Sequence, residues 1–537
     1  MIKARRIGVW YYFMTTGEKI SSGKCFLGIE FGSTRIKAVL TDDQYKPAAM
    51  GEYQWENRFE GGYWTYPLDE IRKGLSSCYS DLKRNTAEKF GVGLSSFRAM
   101  GISGMMHGYM PFDSEWNLLV PFRTWRNTNT GEAAAELTRL FGFNIPQRWS
   151  ITHLYQAILD KEEHIGKISY ITTLAVYVHR LLTGVTAAGI GEASGMFPVK
   201  DAGYNEEMLD KFSEVVSDAG LTRSIRDMLP KVMLSGEKCG VLSAEGALLL
   251  DPEGDLKAGI PFCPPEGDAG TGMTATDSVR AKTGNVSAGT SVFAMAVLEK
   301  PLSGVYPEID VVATPDGRAV AMVHCNNCCC ELDAWIGLFE EFCGLAGIDI
   351  GRPELYRMLY GNAMKGDADC GGAAAYNFLS AEPVAGVDKG KPMYFRSASG
   401  KFNLANFFRA ELMGSLASLK MGMDILFGRE NVRLERLSAH GGLFKVPGAA
   451  DVLLADGLNV PVTVTEAAGE GGAWGMSLLA AYMADGGGCE LGKFLSEKVF
   501  DNIASREVLP SKEGVIGFDR FMKNYAEGLK AVKAMED

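Results

Sequence analysis

A single acid stands in an unusual setting in the stretch CPPEGDAGTGMTATD, residues 263–277. Asp268 lies among glycines and threonines, with Glu266 two positions before it and no lysine or arginine close by in the sequence. A carboxylate without a cationic neighbour is free to accept a proton, and glycines let a substrate approach the backbone closely. The stretch by itself leaves open whether this acid accepts a proton from a substrate or caps the helix that GTGMTATDSV predicts.

Two glycine-hydroxyl turns are a second chemical signal. In KCFLGIEFGSTRIKAVLTDD two predicted strands flank Gly32, Ser33 and Thr34, and in TGNVSAGTSVFAMAVLE two strands flank Gly289 and Thr290. Such turns present several N–H and O–H donors to one point, which suits phosphate oxygens. An ordinary hairpin uses the same residue types, so one turn alone leaves both interpretations open. The pair predicts a phosphate site.

The repeated hairpin also indicates the domain organisation. The chain has 537 residues, more than one hydrophobic core usually organises, so two related halves are expected. Strand-like segments such as RAMGISGMMHGYMPFD alternate with helical segments such as TGEAAAELTRLFGF, which predicts layered α/β domains. We predict an N-terminal extension over 1–23 before the first strand, a first domain over 24–279 and a second over 280–537.

Composition excludes several classes of protein. Hydrophobic residues make up 46% and charged residues 22% of the chain, and no apolar run is long enough to suggest a membrane span. The 54 basic and 66 acidic residues form no basic stripe, so binding to nucleic acid is not expected. The N-terminus lacks a small-residue cleavage site, so a signal peptide is not expected either. A cytoplasmic globular protein is predicted.

The number and spread of the cysteines also indicate the cytoplasm. There are eleven, an odd number scattered through a large chain, which does not resemble a secreted disulfide framework. One cluster, HCNNCCCEL, contains His324, Cys325 and Cys328 to Cys330 and could be a zinc half-site or a redox pair. A zinc site would need a second Cys/His pair, and a helix is predicted to follow at once. Packed, inert thiols at a helix start are the favoured interpretation.

Taken in order, the motifs resemble a known family. The two turns and the segments GISGMMHG, LTGVTAAGIGEASGMF, EGDAGTGM, SAGTS, HGGLFKVPGAADVLLADGLNVPV and EAAGEGGAWGMSLLAAYM resemble the FGGY carbohydrate kinases of the actin/hexokinase/Hsp70-like superfamily. The resemblance runs from residue 25 almost to the C-terminus. It implies two ribonuclease-H-like α/β domains with an interdomain catalytic cleft, and phosphorylation of a sugar hydroxyl with ATP and Mg²⁺. Asp268 falls where the family carries its catalytic base.

Three residues at the end of a predicted strand suggest the substrate. Met106, His107 and Gly108 resemble the Met-His-Gly with which xylulokinases bind their ketopentose, and Trp125 matches a family tryptophan. A lone histidine is also common in protein cores. Trp125 and Asn127 are also expected to contact the sugar. Family members usually carry an acid at the position of Asn127 and an arginine near Asn129, and this chain has neither. D-xylulose is the expected substrate, while L-ribulose, a polyol or another short-chain carbohydrate stays open.

The first turn carries a second departure. Family members have aspartate where this chain has Glu30, and the resemblance implies that this acid holds Mg²⁺ through water, with Asp268 on the same ion. Water-mediated binding tolerates a longer carboxylate, so slower catalysis or a shifted metal is expected, not an inactive site. Gly32, Ser33 and Thr34 are expected to contact the transferred phosphate.

The second half is expected to bind the nucleotide. The resemblance places Gly289 and Thr290 on the ATP phosphates, and Gly441 and Gly442 under the adenosine, where only glycine permits a close approach. The segment GGLFK is more similar to ribulokinases than to xylulokinases. Expected partners are a sugar and ATP, without nucleic acid or membrane, and the sequence leaves a homodimer undecided.

A different class of function also stays open. Glu30 and the absent acid-arginine pair would suit a weakly active, actin-like protein that binds sugar for regulation. Asp268 and both phosphate turns are intact, and these features favour the kinase.

Overall fold

The computed structural model describes residues 2–6, 9–465, 471–501 and 503–535. The chain forms two compact units, and each is assembled from separate segments. The first contains Met1–Val279, Val311–Ala319 and Glu470–Asn502, and the second contains Arg280–Asp310, Val320–Gly469 and Ile503–Asp537. The domain limits predicted from the sequence therefore stay predictions. They do not include the two later segments, Val311–Ala319 and Glu470–Asn502, with which the chain returns to the first unit.

Strands occur throughout the described ranges. Those before residue 280 are β1 (Ile2–Arg6), β2 (Val9–Phe13), β3 (Phe26–Phe31), β4 (Arg35–Thr41), β5 (Pro47–Gln54), β6 (Arg58–Glu60), β7 (Tyr63–Thr65), β8 (Ala99–Gly104), β9 (Met110–Phe112), β10 (Tyr170–Thr172), β11 (Ala187–Gly189), β12 (Val199–Lys200), β13 (Gly203–Tyr204), β14 (Lys231–Met233) and β15 (Glu266–Gly267). Those after it are β16 (Thr283–Ala288), β17 (Val292–Val297), β18 (Asp310–Ala313), β19 (Ala319–Cys325), β20 (Ala373–Tyr376), β21 (Met393–Arg396), β22 (Arg436–His440), β23 (Val462–Thr465) and β24 (Ser505–Val508).

Helices separate and cover these strands. They are α1 (Thr16–Ser21), α2 (Leu68–Phe90), α3 (Gly131–Phe141), α4 (Ser150–Leu159), α5 (Leu174–Thr183), α6 (Ile190–Ser194), α7 (Glu206–Val215), α8 (Ile225–Met228), α9 (Ala244–Leu250), α10 (Asp268–Thr274), α11 (Cys329–Leu345), α12 (Arg352–Ala363), α13 (Leu404–Gly428), α14 (Ala450–Leu458), α15 (Gly471–Asp485), α16 (Leu491–Phe494) and α17 (Lys512–Ala534). None of the helices in the described ranges combines the length and apolarity that crossing a membrane requires.

The central sheet of the first unit has the strand order β15-β8-β3-β4-β5. β3 and β4 form an antiparallel hairpin, and β8 lies parallel to β3 on its other side. Gly28 faces α15 and Gly51 faces α2, and the register places these two glycines on opposite faces of the sheet. Because both faces are covered, β8 is buried along its whole length and shows no alternation of polar residues.

Helix α15 approaches this sheet through small residues. A Cβ on Gly28 would overlap the carbonyl oxygen of Ala473, and a Cβ on Gly475 would overlap the carbonyl oxygen of Thr271 in α10. The first five residues of the predicted motif, 466–470, lie outside the described residues. Contact between backbones at this distance requires glycine, which fixes α10 and α15 against each other.

The second sheet repeats the arrangement of the first. Its order is β18-β19-β17-β16-β22-β23-β24, in which β16 and β17 form an antiparallel hairpin and β22 lies parallel to β16. A hairpin whose first strand has a parallel neighbour thus occurs in both sheets. This repetition confirms the predicted mixed α/β class with two related halves.

The N-terminal segment differs from the prediction. Residues 1–23 were expected to precede the first strand, yet β1 and β2 form an antiparallel pair within them. Helix α1 then begins with a capping box, in which Thr15 accepts from the amide of Glu18 and Glu18 accepts from the amide of Thr15. Apolar residues over 9–13 and this capping pattern were the local signals for regular structure.

A buried acid in the second unit makes stability depend on pH. Burial, and then the charge of Glu331, raise the pKa of Glu411 in α13 to about 8. The folded state keeps this carboxyl neutral while the unfolded chain ionises it near its ordinary pKa of 4.5. The stability that the neutral Glu411 carboxyl gives the folded state is therefore fully present below pH 4.5, and it is lost as the pH rises toward 8. Between pH 4.5 and pH 8, Glu411 should lower the free energy of unfolding by on the order of 4 kcal/mol.

We expect Glu411→Gln to remove this dependence. Thermal unfolding followed at pH 5 and pH 8 should show a smaller loss of Tm in the variant than in the native protein. Glu341→Gln, on the exposed side of α11, is the control and should leave the loss unchanged. An equal loss of Tm in the native protein and Glu411→Gln would show that Glu411 ionises without cost in the folded state.

Candidate functional site

Asp268 lies directly beyond a strand end. Strand β15 pairs in parallel with β8, so that Glu266 lies opposite Ser103 and Gly267 opposite Gly104. Asp268 is the first residue of α10, and its Oδ1 accepts from the backbone N–H of Met106 at 3.1 Å. A carboxylate in the first turn of a helix also interacts favourably with the helix dipole. The N-cap of α10 is Gly267, so Asp268 is not the cap that the sequence allowed, and its place at the first helical position is compatible with a catalytic role.

Several groups act on the Asp268 carboxylate. The surrounding protein removes solvation and raises its pKa, while the amides of Met106 and Ala269 and the charge of Arg148 oppose that rise. Asp268 as a whole residue is nevertheless exposed to solvent. Sequence inspection missed Arg148, because it is far from Asp268 along the chain. The acid thus has both a cationic influence and access to solvent.

Glu30 is the second acid of this region. It lies in β3, and loss of solvation and then the charge of Asp268 raise its pKa to about 7, opposed by Lys37 and by the amide of Ala473. A Cβ on Gly472 would overlap Glu30 Oε1. The glycine therefore provides the space that the Glu30 side chain occupies.

Two further acids are buried behind Asp268. Burial raises the pKa of Glu266 to about 8, although the amides of Gly267, Glu192 and Gly191 donate to its carboxylate. Glu192 is fully buried in α6, and burial raises its pKa well above the ordinary value. Among the four acids, Asp268 is the most exposed residue. It is therefore the acid that a substrate can reach most readily.

The Met106-His107-Gly108 segment is joined to this acid. Its first amide donates to Asp268, as described above, and its third donates to the carbonyl of Arg148 at 3.1 Å. His107 has a positive φ of 70° and is 6% exposed, with Nδ1 3.2 Å from the carbonyl oxygen of Gly195. Since a carbonyl only accepts, Nδ1 is the donor. In a neutral His107 the Nε2 atom is therefore an acceptor.

Trp125 and Asn127 have different surroundings. Trp125 is 38% exposed. The side-chain oxygen of Asn127 accepts from the amide of Trp64 at 2.8 Å, and its nitrogen donates to the carbonyls of Trp64 and Thr124 at 2.9 and 3.0 Å. Asn127 thus anchors β7 from a buried position. Its polar atoms serve the protein itself in this structure.

The turn of the first hairpin is held by aromatic residues. Tyr66 donates to the carbonyl of Ser33 at 2.6 Å, and the indole of Trp55 donates to the carbonyl of Gly32 at 2.7 Å. The backbone amide of Trp55 donates to the carbonyl of Thr34. These bonds satisfy the carbonyls of the turn and fix its backbone.

The second unit has two glycine turns side by side. Gly289 and Thr290 follow β16, while Gly441 and Gly442 follow the parallel neighbour β22, whose last residue lies opposite Ser287. Gly441 has a φ of 107°, and a Cβ there would overlap the carbonyl oxygen of Ala288. The carboxyl ends of adjacent parallel strands thus bring all four predicted nucleotide residues together.

The acids of the first unit suit a hydrated cation. Among the residues that the structure describes, no group of three or more His, Cys, Asp or Glu side chains could hold a metal. The charge of Asp268 contributes to raising the pKa of Glu30, and a divalent cation beside both carboxylates would offset this repulsion. Mg²⁺ usually takes one or two carboxylates and completes its shell with water and substrate phosphates. These two residues fit that pattern.

Family comparison agrees with the geometry of both units. The N-terminal domain of the FGGY family of carbohydrate kinases matches residues 25–273, and the C-terminal domain matches residues 284–484. The chain belongs to the FGGY family of carbohydrate kinases. Membership confirms the predicted enzyme class, a carbohydrate kinase, and ATP is the phosphate donor that this family uses.

Individual relatives of this FGGY kinase include xylulose kinases. The xylulose kinase of Haemophilus influenzae is 23% identical over 532 residues, which cover 93% of this chain and 98% of the relative. The ligand-bound xylulose kinase of Lactobacillus acidophilus has a TM-score of 0.76 at 15% identity, covering 96% of this chain and all of the other. The gluconate kinase of the same species has a TM-score of 0.74 at 16% identity, covering 95% and 98%. One fold thus occurs in kinases named for different substrates.

Proposed function

We propose that this FGGY kinase transfers the γ-phosphoryl group of ATP to a hydroxyl of a ketopentose such as D-xylulose, with Asp268 as general base. The observation that carries the proposal is the bond between the amide of Met106 and Asp268 Oδ1 at 3.1 Å. It joins the segment predicted to bind the sugar to the acid predicted to accept its proton. The full-length similarity to a xylulose kinase supports the same substrate class.

The chemistry assigned to the chain is limited to positioning and proton transfer. The sugar hydroxyl loses its proton to Asp268 as its oxygen bonds to the γ-phosphorus, and the bond to ADP breaks. Met106 holds one carboxylate oxygen, which orients the other toward the substrate. The charge of Arg148 favours the ionised form that can accept a proton.

Nucleotide and metal have separate proposed contacts. Gly289 and Thr290 contact the phosphates, and Gly441 and Gly442 leave room for the adenosine. Gly32, Ser33 and Thr34 contact the transferred group. Glu30 would hold Mg²⁺ through water, and Asp268 would be its second carboxylate. When bound, the metal neutralises charge on the phosphates.

Release of ADP across a substrate panel tests the sugar. The panel contains D-xylulose, L-ribulose, other pentoses, polyols and gluconate, each with ATP and Mg²⁺. The highest kcat/KM is expected for D-xylulose. A higher value for another sugar would reassign the substrate and keep the kinase, whereas no sugar-dependent ADP with any member would favour the regulatory alternative.

A second sugar is a specific alternative. The family resemblance implies an acid at the position of Asn127, whereas Asn127 in this chain bonds to Trp64 and Thr124. Because buried polar partners decide which hydroxyls are accepted, this difference favours a substrate with another hydroxyl pattern. L-ribulose and polyols are therefore the first alternatives in the panel.

His107 provides a test of the sugar site. We expect His107→Asn to raise the KM for the sugar about tenfold and to leave the KM for ATP nearly unchanged, because one hydrogen bond is lost. Asparagine tolerates the positive φ of this position, so folding is preserved. His107→Ala adds backbone strain and serves as the comparison. Equal changes in both KM values for His107→Asn would make His107 a structural residue.

A further inference from the structure

Two adjacent cysteines begin helix α11. The Sγ atoms of Cys328 and Cys329 are 3.6 Å apart, in van der Waals contact. Cys328 is buried, while Cys329 is partly exposed. A pair of thiols at this distance can be bridged by a single oxidising reagent.

The backbone of this pair supports the turn of the β16–β17 hairpin. The amide of Cys328 donates to the carbonyl of Thr290 at 2.9 Å, and the amide of Cys329 donates to the carbonyl of Gly289 at 3.0 Å. The carbonyl of Cys328 accepts from the side chain of Asn377 at 3.1 Å. The peptide group between the two cysteines therefore has both its C=O and its N–H bonded.

We propose that Cys328 and Cys329 are an oxidation site at which a low-molecular-weight disulfide links them to each other, and that this link disturbs the Gly289–Thr290 turn. The consequence for nucleotide binding rests on the function proposed above for that turn. The oxidation site itself does not depend on that function.

The order of the steps follows from exposure. The thiolate of Cys329 attacks one sulfur of the reagent disulfide, whose S–S bond breaks, and the released thiolate takes up a proton. The sulfur of Cys328 then attacks the Cys329 sulfur and displaces the second reagent thiol, which takes the Cys328 proton. Two protein thiols lose two electrons, and one reagent disulfide becomes two thiols.

The electrostatics of Cys328 agree with its role as the second sulfur. Contact with the Cys329 thiol and then burial raise the pKa of Cys328 well above its ordinary value. A thiol in this condition is a poor initial nucleophile. Once Cys329 carries the reagent, however, Cys328 is a thiol in contact with the reactive sulfur.

Closing the ring acts directly on the turn. The sulfurs must move from 3.6 Å to about 2.0 Å, within a ring that contains the peptide group between the two cysteines. That peptide cannot rotate without straining its bond to Asn377 or its bond to Gly289. The hydrogen bonds that support the turn are therefore the ones that weaken.

The experiment treats the full-length reduced protein with oxidised glutathione. Free thiols are then alkylated, and the intact mass and a peptide map are recorded. We expect a link between Cys328 and Cys329 with no glutathione retained, faster hydrogen exchange of the backbone over 288–291, and reversal by dithiothreitol. ADP affinity should fall about fivefold, as expected when one hydrogen bond is lost.

Two variants make the result specific. Cys329→Ser keeps the backbone amide and removes the link, so glutathione should leave its hydrogen exchange and ADP affinity unchanged. Cys330→Ser removes the next thiol, which is also partly exposed, and should respond as the native protein does. A response in Cys329→Ser equal to that of the native protein would overturn the assignment.

Other outcomes also decide the question. Retained glutathione, a link to another cysteine, or a Cys328–Cys329 link with unchanged hydrogen exchange over 288–291 would each overturn the proposal. Failure of the reduced protein to bind ADP would instead contradict the proposed function. In that case the mass and exchange measurements still decide whether the oxidation site exists.

Discussion

Replacing Asp268 with Asn should lower kcat by ~10²–10⁴, because the amide cannot accept the proton of the sugar hydroxyl. Asparagine has nearly the same shape, and its oxygen can still accept from the amide of Met106. The KM values for sugar and ATP should therefore change much less than kcat. Initial rates of ADP release at saturating substrate measure the effect.

The control for this variant is another aspartate at a helix start. Asp69 is exposed in the first turn of α2, so Asp69→Asn removes a similar charge from a similar position. It should leave kcat unchanged. Near-normal turnover in Asp268→Asn would exclude Asp268 as the base, and an equal loss in both variants would point to a general charge effect.

Gly475→Ala should destabilise the first unit by about 3 kcal/mol, the upper part of the range for overpacked cores. The added Cβ would overlap the carbonyl oxygen of Thr271, a backbone atom that cannot rotate away. Helix α10 would have to move, and Asp268 is its first residue. Activity at a temperature where the variant is folded should fall as well. Denaturant unfolding measures the first effect, and ADP release the second.

Gly337→Ala is the matched control, since Gly337 also lies within a helix but has open space around it. Alanine there should stabilise the protein by about 0.5–1 kcal/mol, because it favours the helix. If Gly475→Ala unfolds at the same denaturant concentration as the native protein, α10 and α15 are less rigidly packed than described.

Features encoded by neighbouring residues could be predicted from the sequence. The two hairpin turns are recognisable because glycine and hydroxyl residues interrupt apolar strands, and Asp268 is recognisable because glycines surround it. The start of α11 at the cysteine cluster could also be predicted, because a helix was expected directly after the cysteines. The inertness of its thiols stays a prediction, and the oxidation site proposed here opposes it.

Features that depend on distant residues could not be predicted. Arg148 and Glu192 interact electrostatically with Asp268. Each lies many positions from Asp268 along the chain, and no local sequence pattern connects them to it. The role of Asn127 in anchoring β7 depends on its hydrogen bonds to Trp64. The return of the chain to the first unit could not be predicted either. It depends on which glycines of one segment contact the backbone of another, and those contacts are seen only in the structure.

That return affects how the protein is made. The first sheet keeps one face uncovered until α15 (Gly471–Asp485) has left the ribosome, although its own strands end at residue 267. At typical rates of translation the intervening chain takes about 10–40 s to synthesise. The nascent first sheet must therefore wait, partly open, for a helix whose first residue, Gly471, is encoded long after its last strand residue, Gly267.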